Sequence, residues 1–324
     1  MTGAAGFIGA HVVAALAAGG VEVRTLVRTG AAERPHLWPR DVDTVCHDLL
    51  GVGDLAEPLE GVEVVVHLAA KVLGSDEQRL AAAVVGTERL LDAAGAAGVR
   101  RVVLASSYAV YDWSRARVRI DESTPLMADG LYERDGYTVA KVWQERVARR
   151  AAAERGFELT VLRPGFVWGP GGEWVPGAGQ PVGPVLAVVG PRARLPLTYV
   201  ENCADCFAVA ALHPSAAGRT FNVVDGEGVS AWRYMGEYKR GIGRRGPRVP
   251  VPYAVANAGV RAIDAVMQRA TGGHARLPSI AVPCRFEARF KPLGHGAEEV
   301  GRVLGWSPPV PLAEALERTY GGRR

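Results

Sequence analysis

The chain has 324 residues, of which 48% are hydrophobic and 22% are charged, and its formal net charge is +4. This composition supports a sizeable folded core and excludes a disordered chain. Only four of the 38 basic residues are lysines, and the arginines are scattered without forming a block, so no nucleic-acid partner is expected.

Cysteine use and hydropathy restrict the class of protein further. Four cysteines are too few for a disulfide scaffold in a chain of this length. Cys203 and Cys206 form a C-x-x-C pair, but no second pair or histidine cluster accompanies it, so no metal site is expected. No run of 18 apolar residues and no signal peptide occurs, which predicts a cytoplasmic protein that does not bind membranes.

Short β-branched runs alternate with Ala- and Leu-rich stretches through the first two-thirds of the sequence. This alternation predicts an α/β fold, a Rossmann-type doubly wound parallel sheet. The predicted strands are 21–27, 44–47, 62–68, 101–106, 159–163 and 220–224. The predicted helices are about 9–18, 78–98, 136–155 and 202–212.

Gly- and Pro-rich sequence from about residue 166 onward indicates a smaller C-terminal substrate lobe. We expect a dinucleotide-binding domain over 1–165, to which 198–228 returns. The substrate-binding lobe would comprise 166–197 and 229–324. Aromatic and basic side chains that could contact a substrate there are Trp143, Trp168, Trp174, Trp232, Arg192, Arg194, Arg285 and Arg289.

A glycine-rich loop opens the chain and leads directly into the first helix. Gly3, Gly6 and Gly9 have the spacing of a tight turn that allows backbone N–H groups to approach a pyrophosphate. The following helix N-terminus adds a favourable dipole for an anion. The loop, including Phe7 and Ile8, is therefore predicted to bind a dinucleotide.

The central strand that normally precedes such a loop has almost no residues available to form it. Without it, two neighbouring strands would lack backbone partners and the core would contain a hole. We therefore expect Met1 to occupy the last position of this strand. The native protein would then carry roughly five or six further residues before it.

The residue after the second strand bears on the choice of cofactor. An acid at this position usually binds the ribose 2′-hydroxyl of NAD, whereas the sequence has Arg28. An arginine suits the 2′-phosphate of NADP, and Arg34 could assist. NADP(H) is therefore favoured, with NAD(H) as the alternative.

Tyr137 and Lys141 are four residues apart, so on a helix they lie one turn apart on the same face. Ser107 ends a predicted buried strand about 30 residues earlier, at the sheet edge where ligands bind. Tyr137 could exchange a proton with a carbonyl or carbinol oxygen during hydride transfer. A nearby ammonium and a positive nicotinamide ring are expected to lower its pKa. Lys141 would also bind the nicotinamide ribose, and Ser107 would hydrogen-bond the reacting oxygen.

Several segments together form a specific signature. They are 2–9 (TGAAGFIG), 48–49 (DL), 67–70 (HLAA), 106–111 (SSYAVY), 137–141 (YTVAK) and 162–170 (LRPGFVWGP). These segments resemble the extended short-chain dehydrogenases, the NAD-dependent epimerase/dehydratase family, over residues 1 to about 225. The resemblance implies that Ser107 is the catalytic serine and that Ser106 is structural.

The resemblance also implies further cofactor contacts. Asp48 and Leu49 would lie near the adenine. The cofactor channel would be lined by Leu68, Ala69 and Ala70, and the nicotinamide end framed by Pro164, Gly165 and Val167. In one departure from the family pattern N-V-x-G-T, the helix has Ala83 in place of asparagine. Homodimerisation through helices 78–98 and 136–155 is a further implication.

Three functions remain open. Dehydratases of this family usually place an acid pair directly after the catalytic serine or threonine, whereas Tyr108, Ala109 and Val110 follow Ser107. With Arg28, this favours an oxidoreductase acting on a ketone or secondary alcohol, with a small-molecule substrate. The alternatives are an NAD-dependent nucleotide-sugar epimerase and a non-catalytic NADP-binding protein.

Overall fold

The computed structural model describes residues 1–28, 37–39, 42–71, 74–226, 228–275 and 277–321. Its strands are β1 (Arg24–Val27), β2 (Asp43–Cys46), β3 (Val64–His67), β4 (Arg101–Ala105), β5 (Arg119–Ile120), β6 (Glu158–Pro164), β7 (Phe166–Trp168), β8 (Gln180–Val182), β9 (Val185–Val189), β10 (Arg194–Leu195), β11 (Leu197–Tyr199), β12 (Thr220–Val223), β13 (Val229–Ser230), β14 (Arg248–Val251) and β15 (Gly294–His295). Its α-helices are α1 (Phe7–Ala18), α2 (Ala56–Leu59), α3 (Asp76–Ala96), α4 (Gly136–Arg155), α5 (Val200–Leu212), α6 (Ala231–Gly241), α7 (Tyr253–Ala270), α8 (Pro283–Phe290), α9 (Glu298–Leu304) and α10 (Leu312–Tyr320).

The central sheet is parallel, and its strands follow the Rossmann order. On one side β2 pairs with β1, and on the other β3, β4, β6 and β12 follow one another. Thr2 lies between the two sets and forms parallel bridges to Leu26 and His67. The Leu26 amide donates to the Met1 carbonyl at 2.7 Å, and the Thr2 amide donates to Val66 at 3.0 Å. Met1 and Thr2 thus lie where the sequence analysis expects the first strand to end.

Helices cover both faces of this sheet, which explains the apolar runs in its strands. β4 is buried along its whole length. On one face α1 and α5 pack together, with Leu16 and Phe207 in the shared core. On the other face α3 and α4 pack side by side through Leu90, Leu91 and Ala148. The predicted doubly wound α/β fold is confirmed.

α4 has clear start and stop signals that fix its catalytic-signature residues in space. The Asp135 carboxylate caps the helix by accepting from the Thr138 amide at 3.0 Å. Gly156 ends the helix at φ +78°, a conformation that favours glycine. Tyr137 and Lys141 therefore lie in the first two turns, one turn apart, as predicted.

The later part of the chain adds a second cluster of elements. β14, β9 and β8 form a small sheet, and α6 and α10 pack beside it around the fully buried Trp168. α9 instead packs through Val300 and Leu304 into the core beside the central sheet. The proposed division into a dinucleotide domain and a substrate lobe stays a prediction.

The C-x-x-C pair lies within helix α5. Both Cys203 and Cys206 are fully buried in the apolar core beside the central sheet. Burial raises the pKa of the Cys203 thiol. In the part of the chain that the structure describes, no group of three or more His, Cys, Asp or Glu side chains is arranged to bind a metal ion.

Among the described residues, no helix combines the length and apolar character needed to cross a membrane.

Candidate active site

A cleft of about 1190 Å³ opens at the carboxyl ends of the central strands. This edge of an open parallel sheet is where ligands bind in doubly wound folds. Every residue that the sequence predicts to bind cofactor or to catalyse lines this cleft: Gly3, Gly6, Phe7, Ile8, Gly9, Arg28, Asp48, Leu49, Leu68, Ala69, Ala70, Ser107, Tyr137, Lys141, Pro164, Gly165 and Val167.

Two glycines of the glycine-rich loop, Gly3 and Gly9, have no room for a side chain. Gly3 has φ +68°, and a Cβ there would lie 2.6 Å from the Ala69 nitrogen. A Cβ on Gly9 would overlap the Gly3 carbonyl oxygen. Gly6 is the N-cap of α1, and neither a side-chain cap nor an acid occupies the first turn. This bare helix N-terminus fits the pyrophosphate of a dinucleotide, because its amides can approach the anion closely.

The strand ends beside this loop place polar groups at the far end of the cleft. Arg28 follows β1, is exposed, and makes no ion pair or hydrogen bond with any other described residue. Asp48 follows β2 and accepts from the Leu50 amide at 3.0 Å, which closes a tight turn. Arg89 of α3 donates to the Leu49 carbonyl at 2.6 Å and so fixes the turn. Arg34 lies outside the described residues.

Ser107 and Tyr137 meet at the other end of the cleft. Ser107 directly follows β4, and its Oγ accepts from the Ala109 amide at 3.2 Å. Burial raises the pKa of the half-buried Tyr137 side chain, and the nearby Ser107 hydroxyl acts in the opposite direction. The expected lowering of this pKa depends on a bound nicotinamide ring as well, so it stays a prediction.

Lys141 is buried, and its ammonium donates to two oxygens, neither of which belongs to Tyr137. Its Nζ donates to the Ala105 carbonyl at 2.7 Å and to Gln144 Oε1 at 2.9 Å. Burial lowers the pKa of Lys141 to about 8, although the field of Glu145 opposes this shift. The ammonium is thus coordinated by neutral oxygens at the base of the cleft.

Behind Lys141 lies a buried polar network that the sequence analysis missed. The Gln144 side-chain nitrogen lies 3.1 Å from Thr87 Oγ1 and 3.1 Å from His67 Nε2. His67 Nδ1 lies 2.6 Å from Thr2 Oγ1. Burial, followed by the charge of Lys141, lowers the pKa of His67 to about 3, so the imidazole is neutral. The available signal was a glutamine three positions after Lys141, a spacing that places both side chains on one face of helix α4.

A second buried network supports the strand end next to Ser107. Arg163 of β6 donates to Glu145 at 2.8 and 2.7 Å and to the Tyr111 hydroxyl at 2.9 Å. The Ser106 hydroxyl donates to Glu145 as well. Burial alone would raise the pKa of Glu145, but Arg163 and Ser106 lower it overall. Ser106 therefore makes a structural contact, as the resemblance implies.

Fewer of the candidate substrate contacts reach the cleft than the sequence suggested. Trp174, Arg285 and Arg289 line it, together with Trp113. Trp168 instead packs in the core against Tyr199 and Tyr234, because its strand β7 is covered by α6. Arg194 donates to the Gly228 carbonyl and does not line the cleft.

Fold and cleft together define a Rossmann-type dinucleotide-binding protein. The model of the NAD dependent epimerase/dehydratase family matches residues 1–224. The chain belongs to this family, which confirms the resemblance to extended short-chain dehydrogenases.

Two curated relatives are similar along most of this chain. A 3beta-hydroxysteroid-dehydrogenase/decarboxylase from Arabidopsis thaliana is 25% identical over 86% of this chain and 66% of its own length. The human sterol-4-alpha-carboxylate 3-dehydrogenase, decarboxylating, is 26% identical over 98% of this chain and 86% of its own length. The chain thus spans just under two-thirds of the Arabidopsis relative.

One solved structure illustrates the shared fold. It is a short-chain dehydrogenase/reductase superfamily protein from Agrobacterium tumefaciens with bound NAD. The two chains superpose with a TM-score of 0.70 at 23% identity, over 100% of this chain and 96% of the other. At this identity the similarity establishes the fold.

Proposed function

We propose that the protein is an NAD(P)-dependent reductase or dehydrogenase that transfers hydride between nicotinamide and a ketone or secondary alcohol. The observation that carries this proposal is the meeting of Ser107, Tyr137 and Lys141 in the cleft that begins at the glycine-rich loop. The two curated relatives are both named as dehydrogenases, which supports a redox reaction.

Tyr137 is the proposed proton donor and acceptor. Its raised pKa means that the phenol is protonated at neutral pH, so it can donate to a carbonyl oxygen during reduction. Ser107 lines the same cleft and lies near enough to influence the pKa of Tyr137, so both hydroxyls can bind the same reacting oxygen. When bound, the nicotinamide supplies or accepts the hydride.

Lys141 lies at the base of the cleft that contains Ser107 and Tyr137. Its buried ammonium lies in the same cleft as Tyr137 and can donate to the ribose hydroxyls of the cofactor. The Ala105 carbonyl and Gln144 fix its direction. A cation in this position favours the phenolate that proton donation leaves behind.

NADP(H) is the proposed cofactor, with NAD(H) as the alternative. Arg28 is exposed at the end of β1 and pairs with no described acid, so its guanidinium is available to a 2′-phosphate. The bare N-terminus of α1 would bind the pyrophosphate of either cofactor.

Two alternatives keep specific support. The family includes epimerases by name, and an epimerase would return its cofactor to the starting state in each turnover. A non-catalytic NADP-binding protein would use the same cleft without needing Ser107, Tyr137 and Lys141 together. Homodimerisation through α3 and α4 remains a proposal from the family resemblance.

The test is NADPH oxidation by the purified protein with a panel of ketones, together with the Tyr137→Phe variant. We expect turnover by the wild type and a loss of about 100-fold or more in the variant, with cofactor affinity retained. Stoichiometric NAD released from the denatured protein would instead favour the epimerase. Equal turnover in Tyr137→Phe would contradict the proposed role of this residue.

A further inference from the structure

The cleft contains a buried arginine that forms no ion pair with a described carboxylate. Arg134 is 4% exposed and lines the cleft. Its guanidinium donates to Met127 Sδ at 3.4 Å, the Ala109 carbonyl at 3.3 Å and Thr138 Oγ1 at 3.2 Å. These three acceptors are neutral, and in the described residues its Nε–H has no acceptor at all. The carboxylates of Asp135 and Asp112 act on its charge without forming an ion pair, so a direct contact is left for an anion in the cleft.

Two further arginines lie beside Arg134 on one face of α8. Arg285 donates to the Glu133 carbonyl at 2.7 Å and to the Arg134 carbonyl at 3.0 Å. Arg289 follows one turn later and also lines the cleft. These contacts give Arg285 a structural function, since it ties α8 to the segment that precedes α4.

Arg289 differs from Arg285 because it makes no hydrogen bond or ion pair across the described ranges. Its guanidinium carbon lies 5.9 Å from the centre of the Phe290 ring. Burial lowers its pKa, and the carboxylate of Asp135 acts in the opposite direction. A half-buried guanidinium with no bonding partner is available to a ligand in the cleft.

Asp135 supplies one carboxylate to this cluster of arginines. Its two carboxylate oxygens accept from the Thr138 amide at 3.0 Å and the Thr138 hydroxyl at 2.9 Å, as the N-cap of α4. Its field acts on Arg134, Arg289 and Tyr137, all of which line the cleft. The cluster therefore has three guanidinium groups for this one carboxylate, which leaves it with a net positive charge.

Apolar surface surrounds the charged cluster. Phe166, Trp174, Ile280 and Ala288 line the same end of the cleft. A ligand that fits both features has an apolar body and one anionic group.

We infer that Arg289, with Arg134, forms a subsite for an anionic group of the substrate, either a carboxylate or a phosphate, next to Tyr137. This inference rests on the proposed function for the identity of the reacting end. The anion subsite itself follows from the charges alone. A substrate bound there would present its ketone or hydroxyl to Tyr137 while its anionic group contacts Arg289.

The test measures binding without turnover, by calorimetry on the Tyr137→Phe protein saturated with NADP⁺. One matched pair of probes is 4-oxocyclohexanecarboxylate and its methyl ester. The other is dihydroxyacetone phosphate and dihydroxyacetone. We expect one anionic probe to bind about tenfold or more tightly than its neutral partner, because a charged hydrogen bond is gained. The pair of probes with the larger difference in affinity shows whether the subsite prefers a carboxylate or a phosphate.

The preference should disappear when Arg289→Gln is added and persist in part in Arg289→Lys. Arg233→Gln, an exposed arginine of α6 outside the cleft, is the matched control and should keep the full preference. NADP⁺ affinity should be unchanged in Arg289→Gln, which separates this site from the cofactor phosphates. Equal binding of both members of each pair, no binding of any probe, or a preference that survives Arg289→Gln would overturn the inference.

Failure of this inference can be distinguished from failure of the proposed function. If anions bind through Arg289 but the wild type reduces no ketone, the subsite stands and the redox proposal fails. If neutral ketones are reduced as well as anionic ones, the redox proposal stands and the subsite is overturned.

Discussion

The Lys141 ammonium donates a hydrogen bond to the Gln144 side-chain oxygen at 2.9 Å. The nitrogen of the same amide lies 3.1 Å from Thr87 Oγ1 on helix α3. Gln144 therefore links the lysine to a second helix. The family pattern has an asparagine on that helix where this chain has Ala83, so Gln144 provides a polar connection that Ala83 cannot.

We predict that Gln144→Leu lowers kcat by about tenfold or more, because the ammonium loses a charge-assisted hydrogen bond. Burial already lowers the pKa of Lys141 to about 8. Removing an acceptor that favours the charged form should lower this pKa further. The alkaline limb of kcat/KM against pH should therefore move to lower pH.

Gln144→Glu provides the opposite change, since a carboxylate favours the ammonium and should move the same limb to higher pH. A purely structural glutamine would give lower stability in both variants with no movement of the pH limb. That outcome would contradict the positioning function.

The Glu145–Arg163 pair gives a stability prediction. Both side chains are almost fully buried, with 0% and 4% exposure. Glu145→Gln should lower the free energy of unfolding by about 3–5 kcal/mol, because Arg163 is left buried without its counter-charge. The exposed pair Arg24–Asp43 is the control, and Asp43→Asn should change stability by less than about 1 kcal/mol. Equal losses of unfolding free energy in the two variants, measured by urea unfolding, would show that burial does not determine what an ion pair contributes here.

His67 gives a pH prediction. Burial lowers its pKa to about 3, so the unfolded chain takes up a proton below its ordinary pKa while the folded protein does not. The contribution of neutral His67 to the free energy of unfolding is therefore fully present above pH about 6.5, and it is lost as the pH falls toward 3. The loss amounts to about 1.4 kcal/mol per pH unit within that window.

The measurement is the free energy of unfolding at several pH values for the wild type and for His67→Gln. The variant should show a smaller acid-induced loss, since it removes the titrating group but keeps a polar side chain. Parallel curves for the two proteins would refute the assignment.

Arg28 gives a cofactor prediction. Arg28→Asp should weaken NADPH binding by about tenfold or more while affecting NADH much less, because a 2′-phosphate would then face a carboxylate. Arg28→Lys keeps the positive charge and should retain most of the preference. Equal losses for NADPH and NADH in fluorescence titrations would remove Arg28 from the 2′-phosphate site.

The features that sequence predicted well depend on short spacings. The Gly3–Gly9 loop and the Tyr137–Lys141 turn each lie within one local element, so their geometry follows from helix and turn periodicity. The alternation of apolar runs and helices similarly predicted the parallel sheet. The position of Met1 and Thr2 between β1 and β3 followed from this sheet order.

The features that sequence missed depend on contacts between distant segments. Gln144, Thr87 and His67 meet only because α3, α4 and β3 pack together. Nothing in a single sequence shows that Arg134 is buried without a counter-charge, or that Trp168 faces the core. The raised pKa of Tyr137 likewise results from burial, which local spacing does not reveal.

The most direct test follows deuterium from NADPH that carries deuterium at both positions of nicotinamide C4 into a ketone substrate, by mass spectrometry of the product alcohol. The account predicts one deuterium on the carbinol carbon per NADP⁺ formed, and loss of that product in Tyr137→Phe. Product without deuterium, or undiminished transfer in Tyr137→Phe, would contradict hydride transfer assisted by this tyrosine.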